Sequence, residues 1–418
     1  MHNNYKKIIW LLLSVVLIYA PIVRGAVRTW SITPVLLVEL VLIFLWLFKS
    51  ANSPSQIRPS ELTTYNLQLT TFSIDLPILI FTVIAAISFF FSIYKYDSFY
   101  AFLRLLGYVG VYYVIFYEFD KSMTRRILYL VITLGSCLSL YGLLQYFGIL
   151  NHSWWFPRNF LSATYVNHNH FAGYLELVIP VGVAQLFNQF LRYREKAAGK
   201  NHMVLLTSGV IFMIAAFILS QSRGAWVSLC ISLIVLASSF AKKEKIGINY
   251  WIALGLVLII MFSFIYLGRE TIAYRFNPSD LKAAYGNDLF DRTRLMIWNG
   301  SIDMIIHNTL IGTGIVTFVW GFPRYRPEGL AAQANAAHND YLQMAAEMGV
   351  LAPILMMWIF FIIVKRGFTK NDPSFLSIGC ATGVLSLAIH GLVDFNFHIP
   401  ANMLLFTVYA GIIMGKND

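Results

Sequence analysis

The chain has 418 residues, of which 58% are hydrophobic and only 12% are charged, and its formal net charge is +11. A soluble protein carries about twice that fraction of charged residues, so these values exclude a soluble globular protein. The apolar runs are continuous and do not alternate with a period of two, which excludes a membrane β-barrel. The composition therefore predicts an all-α polytopic membrane protein, with residues 1–418 forming a single integral membrane domain.

Apolar runs long enough to cross a hydrocarbon core of about 30 Å recur from one end of the chain to the other. The N-terminal run resembles a secretory signal, but cleavage after Ala20 would leave Pro21 at the new terminus, so we interpret it as a span that is kept. In chain order, the runs predict twelve transmembrane helices at approximately 8–23, 31–48, 74–94, 98–117, 127–149, 168–190, 203–220, 223–240, 249–267, 346–364, 374–393 and 400–414.

The loops between these spans differ in positive charge. If the N-terminus is cytoplasmic, the cytoplasmic segments hold eighteen Lys and Arg residues and the short outer segments hold five. This excess predicts that both termini are cytoplasmic, and it accounts for the net charge without a nucleic-acid partner. The long polar segment 268–345 then lies on the outer face, between spans nine and ten. Within it, Leu295, Trp298, Ile302 and Ile305 recur at helical intervals, which predicts an amphipathic helix at the membrane interface.

Four polar residues open the predicted sixth span, in the sequence YVNHNHFAGYL. They are Asn167, His168, Asn169 and His170. Two histidines two positions apart face different sides of a helix, and no cysteine or third histidine is near, so the pattern does not favour a zinc site. Capping of the helix by an asparagine explains one of the four residues. The others are candidates for hydrogen bonding to a hydroxyl-rich ligand.

An arginine lies in the turn between the predicted seventh and eighth spans, in the sequence SQSRGAW. Arg223 is close to the hydrocarbon boundary, where an arginine either extends into the headgroups or serves a function. Ser222 and Gly224 suit the start of a helix, where free backbone N–H groups and the helix dipole favour an anion. The guanidinium adds a bidentate donor, and together these features indicate an anion site.

A histidine follows the long outer segment, in the sequence ANAAHNDYLQMAAEMG. His338 is either an interfacial side chain or a general base beside an anionic ligand. Asn339 or Asp340 can cap the helix that follows.

The turn between the last two predicted spans, HGLVDFNFHIPAN, is also rich in polar residues. It holds Asp394, Asn396 and His398, and Pro400 opens the twelfth span. All four polar clusters are predicted on the outer face, and nothing comparable occurs on the inner face. This asymmetry predicts a binding or catalytic site at the outer surface of the membrane.

Taken together, these motifs resemble those of the O-antigen ligase and polymerase superfamily of bacterial membrane glycosyltransferases. The resemblance covers most of the chain in order: NHNHFAGYL, SQSRGAW, RLMIWNGSIDMIIHNTLIGTGIVTF, AHNDYLQMAAEMG and HGLVDFNFHIPA. It implies a GT-C-like fold and a metal-independent enzyme without a cofactor. Such enzymes move a glycan from an undecaprenyl-diphosphate carrier to an acceptor hydroxyl at the outer face of the bacterial inner membrane.

The resemblance also implies roles for particular residues. Arg223 matches the hairpin arginine of the family, and Arg292 or Arg294 matches the arginine of its long loop. The two guanidiniums would bind the diphosphate and stabilise its growing charge, and His338 would take the proton of the acceptor hydroxyl. A single displacement of this kind inverts the anomeric carbon. The candidates for glycan or acceptor binding are Asn167, His168, Asn169, His170, Asn339, Tyr341, Asp394 and His398.

Several functions remain open at this point. Within the superfamily, ligation to a lipid A-core acceptor is favoured, and polymerisation of a surface polysaccharide or glycosylation of a protein are alternatives. A transporter of the lipid-linked glycan would handle the same ligand, but it needs a polar path across the membrane. Arg104 is the one charged residue well inside a predicted span, while Glu39 and Glu176 are of uncertain depth.

Overall fold

The computed structural model describes residues 2–52, 74–151, 160–194, 200–244, 292–330, 333–369 and 373–415. Within these ranges the chain is helical and contains no strand. In chain order the helices are α1 (His2–Ile22), α2 (Thr29–Asn52), α3 (Asp75–Phe90), α4 (Lys95–Glu118), α5 (Lys121–Tyr146), α6 (His168–Arg194), α7 (Lys200–Leu219), α8 (Arg223–Glu244), α9 (Arg292–His307), α10 (Phe318–Gly321), α11 (Asp340–Met348), α12 (Leu351–Thr369), α13 (Phe375–His390) and α14 (Pro400–Met414).

Eight of the described helices are long and apolar enough to cross a membrane, namely α1, α2, α4, α5, α6, α7, α8 and α12. Helices α3, α13 and α14 are apolar but shorter. The prediction of an all-α polytopic membrane protein is therefore confirmed. Eleven of the twelve predicted spans coincide with a described helix, whereas the span predicted at 249–267 lies outside the described residues. The count of twelve stays a prediction, as does the limit of the long segment 268–345.

The start of the tenth predicted span differs from the structure. The apolar run from residue 346 is divided between α11 and α12, because the backbone at Gly349 has a φ of +84°. A Cβ atom there would lie 2.2 Å from the carbonyl oxygen of Leu310, so a glycine is required. The segment before α10 pairs with this break: backbone N–H groups of residues 313 and 314 donate to the carbonyls of residues 346 and 347, and that of residue 350 donates to residue 309.

Helix α6 forms the centre of the bundle, with 83% of its membrane window buried inside the protein. Helix α13 crosses it closely, because Gly383 allows the two backbones to approach. A Cβ atom at Gly383 would lie 2.8 Å from the carbonyl oxygen of Leu177. Such contacts of small residues are the usual basis of helix packing in membranes.

Helix α9 confirms the helix predicted in the long polar segment, but not which face packs on the protein. The buried face contains Ile297, Ser301 and Met304, which pack toward α10. Leu295 and Ile302 of the predicted stripe are half exposed. The predicted stripe is therefore divided: Leu295 and Ile302 are directed outward, whereas Ile305 packs against the buried face. Its position at a membrane interface stays a prediction.

Candidate active site

The polar clusters lie at one end of the bundle, where α7 turns into α8 and α13 turns into α14; we call it the site end. The helices α6 and α11 also begin there, and hydrogen bonds join the segments. The His168 Nδ1 donates to the carbonyl of Ser220 at 2.7 Å, and the backbone N–H of Asp340 donates to the carbonyl of Asp394 at 3.0 Å. The clusters therefore form one connected surface.

A histidine and an aspartate face each other at the centre of the site end. The His338 Nδ1 lies 3.9 Å from the Asp394 Oδ1. The Asp394 carboxyl is almost fully buried, while 31% of the His338 side chain is exposed. The Nδ1 atom is itself buried and has no hydrogen-bond partner among the residues that the structure describes. The backbone of His338 has a φ of +50°, a left-handed conformation that is uncommon outside glycine.

The charge of Asp394 is stabilised by its surroundings. Burial alone would raise the pKa of this carboxyl, but His338, His170 and His390 outweigh burial and hold the pKa well below its usual range. The carboxyl also accepts the backbone N–H of Phe395 at 2.8 Å. Asp394 is therefore an anion at neutral pH, directed at the ring of His338.

The ring of Phe395 contacts two of the histidines edge-on. Its centroid lies 5.1 Å from that of His338 and 4.6 Å from that of His170. The Nε2 atom of His170 is buried and has no hydrogen-bond partner. Packing against one aromatic ring fixes the orientation of both imidazoles.

One of the predicted arginines bonds to a residue of the loop between α13 and α14, and the neighbour of another packs against the same residue. An N–H of the Arg294 guanidinium (Nη1) donates to the carbonyl of Val393 at 3.1 Å. Gly224, next to Arg223, packs against the side chain of this residue, since a Cβ atom there would lie 2.6 Å from the Val393 Cγ2. Arg223 is exposed at the start of α8. The side chain of Arg292 lies outside the described residues, so its role stays a prediction.

Other predicted site residues make contacts within the protein. The Asn167 Oδ1 accepts the backbone N–H of Asn169 at 2.9 Å, at the start of α6. The Asn339 Oδ1 caps α11 by accepting two backbone N–H groups at 3.0 Å, one of them from Tyr341. The Tyr341 hydroxyl donates to the carbonyl of Ala388 at 2.7 Å. These contacts shape the site end, and binding of a glycan by these residues stays a prediction.

A second histidine and aspartate pair lies beside the first. The His398 Nδ1 is 2.9 Å from the Asp340 Oδ1, and its Nε2 is 3.7 Å from the Glu347 Oε2. The Glu347 carboxylate accepts two further backbone N–H groups, from residues 316 and 318. The Gln343 side chain contacts the His398 Nε2 at 3.2 Å and accepts the backbone N–H of Ala337 at 3.0 Å. The two pairs are thus joined through residues 337 to 343.

Burial and charge act in opposite directions on this second pair. Burial lowers the pKa of His398, but the Asp340 and Glu347 carboxylates outweigh it and raise the pKa to about 9. Burial raises the pKa of Asp340 to about 6, although His398 opposes the shift. At neutral pH His398 is therefore a cation between two carboxylates.

A buried carboxylate lies beneath the site end, inside the bundle. Glu176 of α6 is fully buried and accepts hydrogen bonds from Ser228 of α8 and from Ser386 of α13, the latter at 3.1 Å. The His390 Nδ1 lies 2.7 Å from the other carboxylate oxygen, and Asn396 contacts the same imidazole at 3.1 Å. One side chain thus joins the three helices that carry the site end.

A large apolar groove opens beside the second histidine pair. It encloses about 1100 Å³ of space, part of which is open to the surroundings. Its walls come from α3, α4, α11, α12 and α14, and His398 and Glu347 lie at its site end. Arg104 of α4 also lies in its wall. Within the described residues no group of His, Cys, Asp or Glu side chains could hold a metal ion.

The fold and this site define an integral membrane protein with histidine, carboxylate and guanidinium groups gathered at one end of a helical bundle. Residues 208–357 match the family model described as O-antigen ligase. The matched region contains Arg223, Arg294 and His338. The match supports the resemblance seen in the motifs to the O-antigen ligase and polymerase superfamily, over this part of the chain, and it implies a glycosyltransferase-like enzyme. A search of curated proteins finds no match to the chain.

Sequence reasoning missed the pairing of Glu176 with His390 and the existence of the groove. The signal for the first was present, because an ionisable residue in an apolar span indicates a functional or paired group. Its partner could not be chosen, since the two residues are separated by 214 positions. The groove has no sequence motif, because its wall consists of ordinary apolar residues from five helices.

Proposed function

We propose that this protein is a glycosyltransferase that moves a glycan from an undecaprenyl-diphosphate carrier to an acceptor hydroxyl. The specific activity that we propose is that of an O-antigen ligase, with lipid A-core as the acceptor. The observation that carries the proposal is the meeting of a histidine–aspartate pair with Arg294 and the start of α8 around residue 393. The match of residues 208–357 to the O-antigen ligase family supports it. Polymerisation of a surface polysaccharide uses the same chemistry and differs in the acceptor.

The guanidiniums supply the anion site. As the glycosidic bond breaks, its electron pair moves to the diphosphate oxygen, and negative charge grows on the leaving group. In the proposed reaction Arg223 and Arg294 bind that charge with fixed donors, which stabilises the transition state more than the ground state. The reaction as proposed needs no metal ion and no cofactor.

The histidine–aspartate pair supplies the base. We assign the proton of the neutral imidazole to Nδ1, the nitrogen that lies 3.9 Å from the Asp394 carboxylate, which leaves Nε2 as the base. Nε2 takes the proton of the acceptor hydroxyl while the oxygen forms its bond to the anomeric carbon. The imidazolium that results is stabilised by Asp394. A single displacement of this kind inverts the anomeric configuration.

The proposed location follows from the chemistry and from the loop charges. The protein resides in the inner membrane with both termini in the cytoplasm, and the site end faces the periplasm. The carrier and the acceptor reach it from the membrane. Glycan contacts are proposed for the exposed or half-exposed polar residues around the site, among them Asn169 and His168.

The test combines genetics and biochemistry. Deletion of the gene, followed by gel analysis of surface glycans, should remove long chains from the lipid core and leave free polymer if the protein is a ligase. Single repeats left on the core would identify a polymerase. In purified protein, Arg223→Ala and Arg294→Ala should each abolish transfer while the protein stays folded in detergent. Transfer at the wild-type rate in Arg223→Ala would refute the assignment of the anion site.

A further inference from the structure

Helix α9 is bonded to both loops that carry the histidine and the aspartate at the centre of the site end. Arg294 and Trp298 are four positions apart on this helix, so they lie on the same face. The Arg294 guanidinium donates to the carbonyl of Val393 at 3.1 Å. The Trp298 indole N–H (Nε1) donates to the carbonyl of Ala337 at 3.0 Å. Each of these carbonyls belongs to the residue directly before the aspartate or the histidine.

Trp298 is the fourth member of the apolar stripe that the sequence predicts at the membrane interface. A tryptophan at such a depth usually directs its N–H toward headgroups or water and anchors the helix there. Here the N–H is used within the protein, since its acceptor is the backbone of Ala337, a fully buried residue. The indole therefore contributes to the structure of the segment that leads to the histidine.

The backbone of Ala337 is bonded at both of its polar groups. Its N–H donates to the Gln343 Oε1 at 3.0 Å, and its carbonyl accepts the indole N–H of Trp298. That carbonyl and the nitrogen of His338 belong to one peptide plane, and φ of His338 is the rotation between this plane and the rest of the residue. The residue that follows, Asn339, caps α11. The rotation is therefore restrained on both sides.

The restraint matters because of the value that this rotation has. His338 has a φ of +50°, and a residue other than glycine is strained in this left-handed region. It stays there where its surroundings hold it, and without the bond from Trp298 the peptide plane before His338 can turn. Such a turn would move the imidazole away from the Asp394 carboxylate, which now lies 3.9 Å from the Nδ1 atom.

Helix α9 has a fixed position from which the indole can act. Gly300 lies so close to the segment after α10 that a Cβ atom there would be 2.6 Å from the carbonyl oxygen of Tyr325. The Asn308 side chain donates to the Tyr325 hydroxyl at 3.1 Å. Ile297 and Met304 are buried between these two contacts or beside them.

We propose that Trp298 is a positioning residue for the base: through its bond to Ala337 it keeps His338 in the left-handed conformation that directs the imidazole at Asp394. The inference rests on the proposed function, in which His338 takes the proton of the acceptor hydroxyl. It gives α9 a second role beside the anion site, since the helix that carries Arg294 also orients the base.

The experiment removes the indole N–H and uses a second tryptophan as a control. Trp298→Phe keeps an aromatic ring and removes the donor. Incorporation of β-(3-benzothienyl)alanine at position 298 keeps the two-ring shape and replaces the N–H with sulfur, so it separates the hydrogen bond from packing. The control is Trp320→Phe, because the Trp320 indole also donates one hydrogen bond, to the Asp97 Oδ2 at 2.8 Å. That bond involves neither loop of the site end.

Transfer is measured with the full chain in phospholipid vesicles, from an undecaprenyl-diphosphate-linked donor to lipid A-core. Both changes at position 298 should lower kcat about five- to tenfold, the equivalent of one lost hydrogen bond. The Kd for the donor should stay at the wild-type value, as should kcat in Trp320→Phe. A wild-type kcat in the position 298 variants, or a weaker Kd for the donor as the cause of their slower transfer, would overturn the inference.

A double-mutant cycle separates positioning from a general structural role. In a His338→Gln background, Trp298→Phe should leave the residual transfer unchanged, because no base remains to be oriented. A further fall of the same size in that background would mean that Trp298 acts independently of His338, which contradicts the proposal.

A second readout does not need transfer. In protein labelled with nitrogen-15 in its histidine rings, the His338 signal is the one that is absent from the spectrum of His338→Gln. This signal should shift in Trp298→Phe and not in Trp320→Phe, even if the wild type proves inactive in transfer and the proposed function fails. An unchanged His338 signal in Trp298→Phe would overturn the inference, whatever the transfer rates.

Discussion

The buried carboxylate of Glu176 offers the sharpest test of how the site end is held in place. Glu176 and Glu39 are both fully buried glutamates of membrane helices. They differ in their partners: Glu176 is bonded to Ser228, Ser386 and His390, whereas neither carboxyl oxygen of Glu39 has a hydrogen-bond partner. The perturbation is Glu176→Ala, with Glu39→Ala as the matched control.

The expected loss in the free energy of unfolding of Glu176→Ala follows from the contacts that remain. Ser228 keeps the carbonyls of Gly224 and Ala225 as alternative acceptors, so its hydroxyl stays satisfied. Ser386 and His390 lose the carboxylate that they share. Removing one partner of a buried, hydrogen-bonded charge pair costs about 3–5 kcal/mol, and because Ser228 stays satisfied we expect a loss at the lower end, about 3 kcal/mol. Glu176→Gln keeps the shape and two hydrogen bonds and should cost about 1 kcal/mol.

The assay is thermal unfolding of the purified protein in detergent, followed by tryptophan fluorescence. For a chain of this length, about 3 kcal/mol corresponds to a fall of about 3 °C in the midpoint. The Glu39→Ala control should show a smaller fall, because it removes a carboxyl that has no hydrogen-bond partner in the described part of the chain and only a charge interaction with Arg104. An equal fall in both variants, or an unchanged midpoint in Glu176→Ala, would refute the argument that this ion pair joins α6, α8 and α13.

Three further predictions concern the site end. Because the pKa of His398 is raised to about 9 in the folded protein, against about 6.5 in an unfolded chain, its stabilising contribution is complete below about pH 6.5 and is lost as the pH rises through about 9. The thermal midpoint should fall across that window in the wild type and much less in His398→Gln. Gly224→Ala should lower transfer at least about tenfold, because the new methyl would press on Val393; transfer at the wild-type rate would contradict this explanation. His338→Gln should slow transfer about 10²- to 10⁴-fold with the Kd for the donor unchanged in equilibrium binding, whereas loss of donor binding would make His338 a phosphate ligand.

The membrane helices could be predicted from the sequence because hydropathy is a local property. Each apolar run specifies its own span, and the helix caps are local as well, as Asn339 shows by bonding two backbone N–H groups within three residues. The break at Gly349 was missed because the apolar run continues across it. The reason for the break, the close approach of Leu310, comes from another part of the chain.

The polar clusters could be located in the sequence, but their pairing could not. Asp394 and His398 were both interpreted as candidates for acceptor binding. The sequence contains no indication that Asp394 faces a histidine or that His398 faces a carboxylate. The pairings join His338 to Asp394 and Asp340 to His398 across more than fifty residues. These pairings depend on the packing of the start of α11 against the turn between α13 and α14.

The backbone bonds between residues 309–314 and residues 346–350 restrict how substrates can reach the site. Parting these segments would expose several N–H and carbonyl groups at the edge of a membrane, where water is scarce and each unbonded group costs free energy. These hydrogen bonds therefore hold the segment after α9 against the junction of α11 and α12, and they oppose its movement away from the bundle. Under the proposed function, a lipid substrate then reaches the site by sliding between helices in the plane of the bilayer, and the product leaves by the same lateral route.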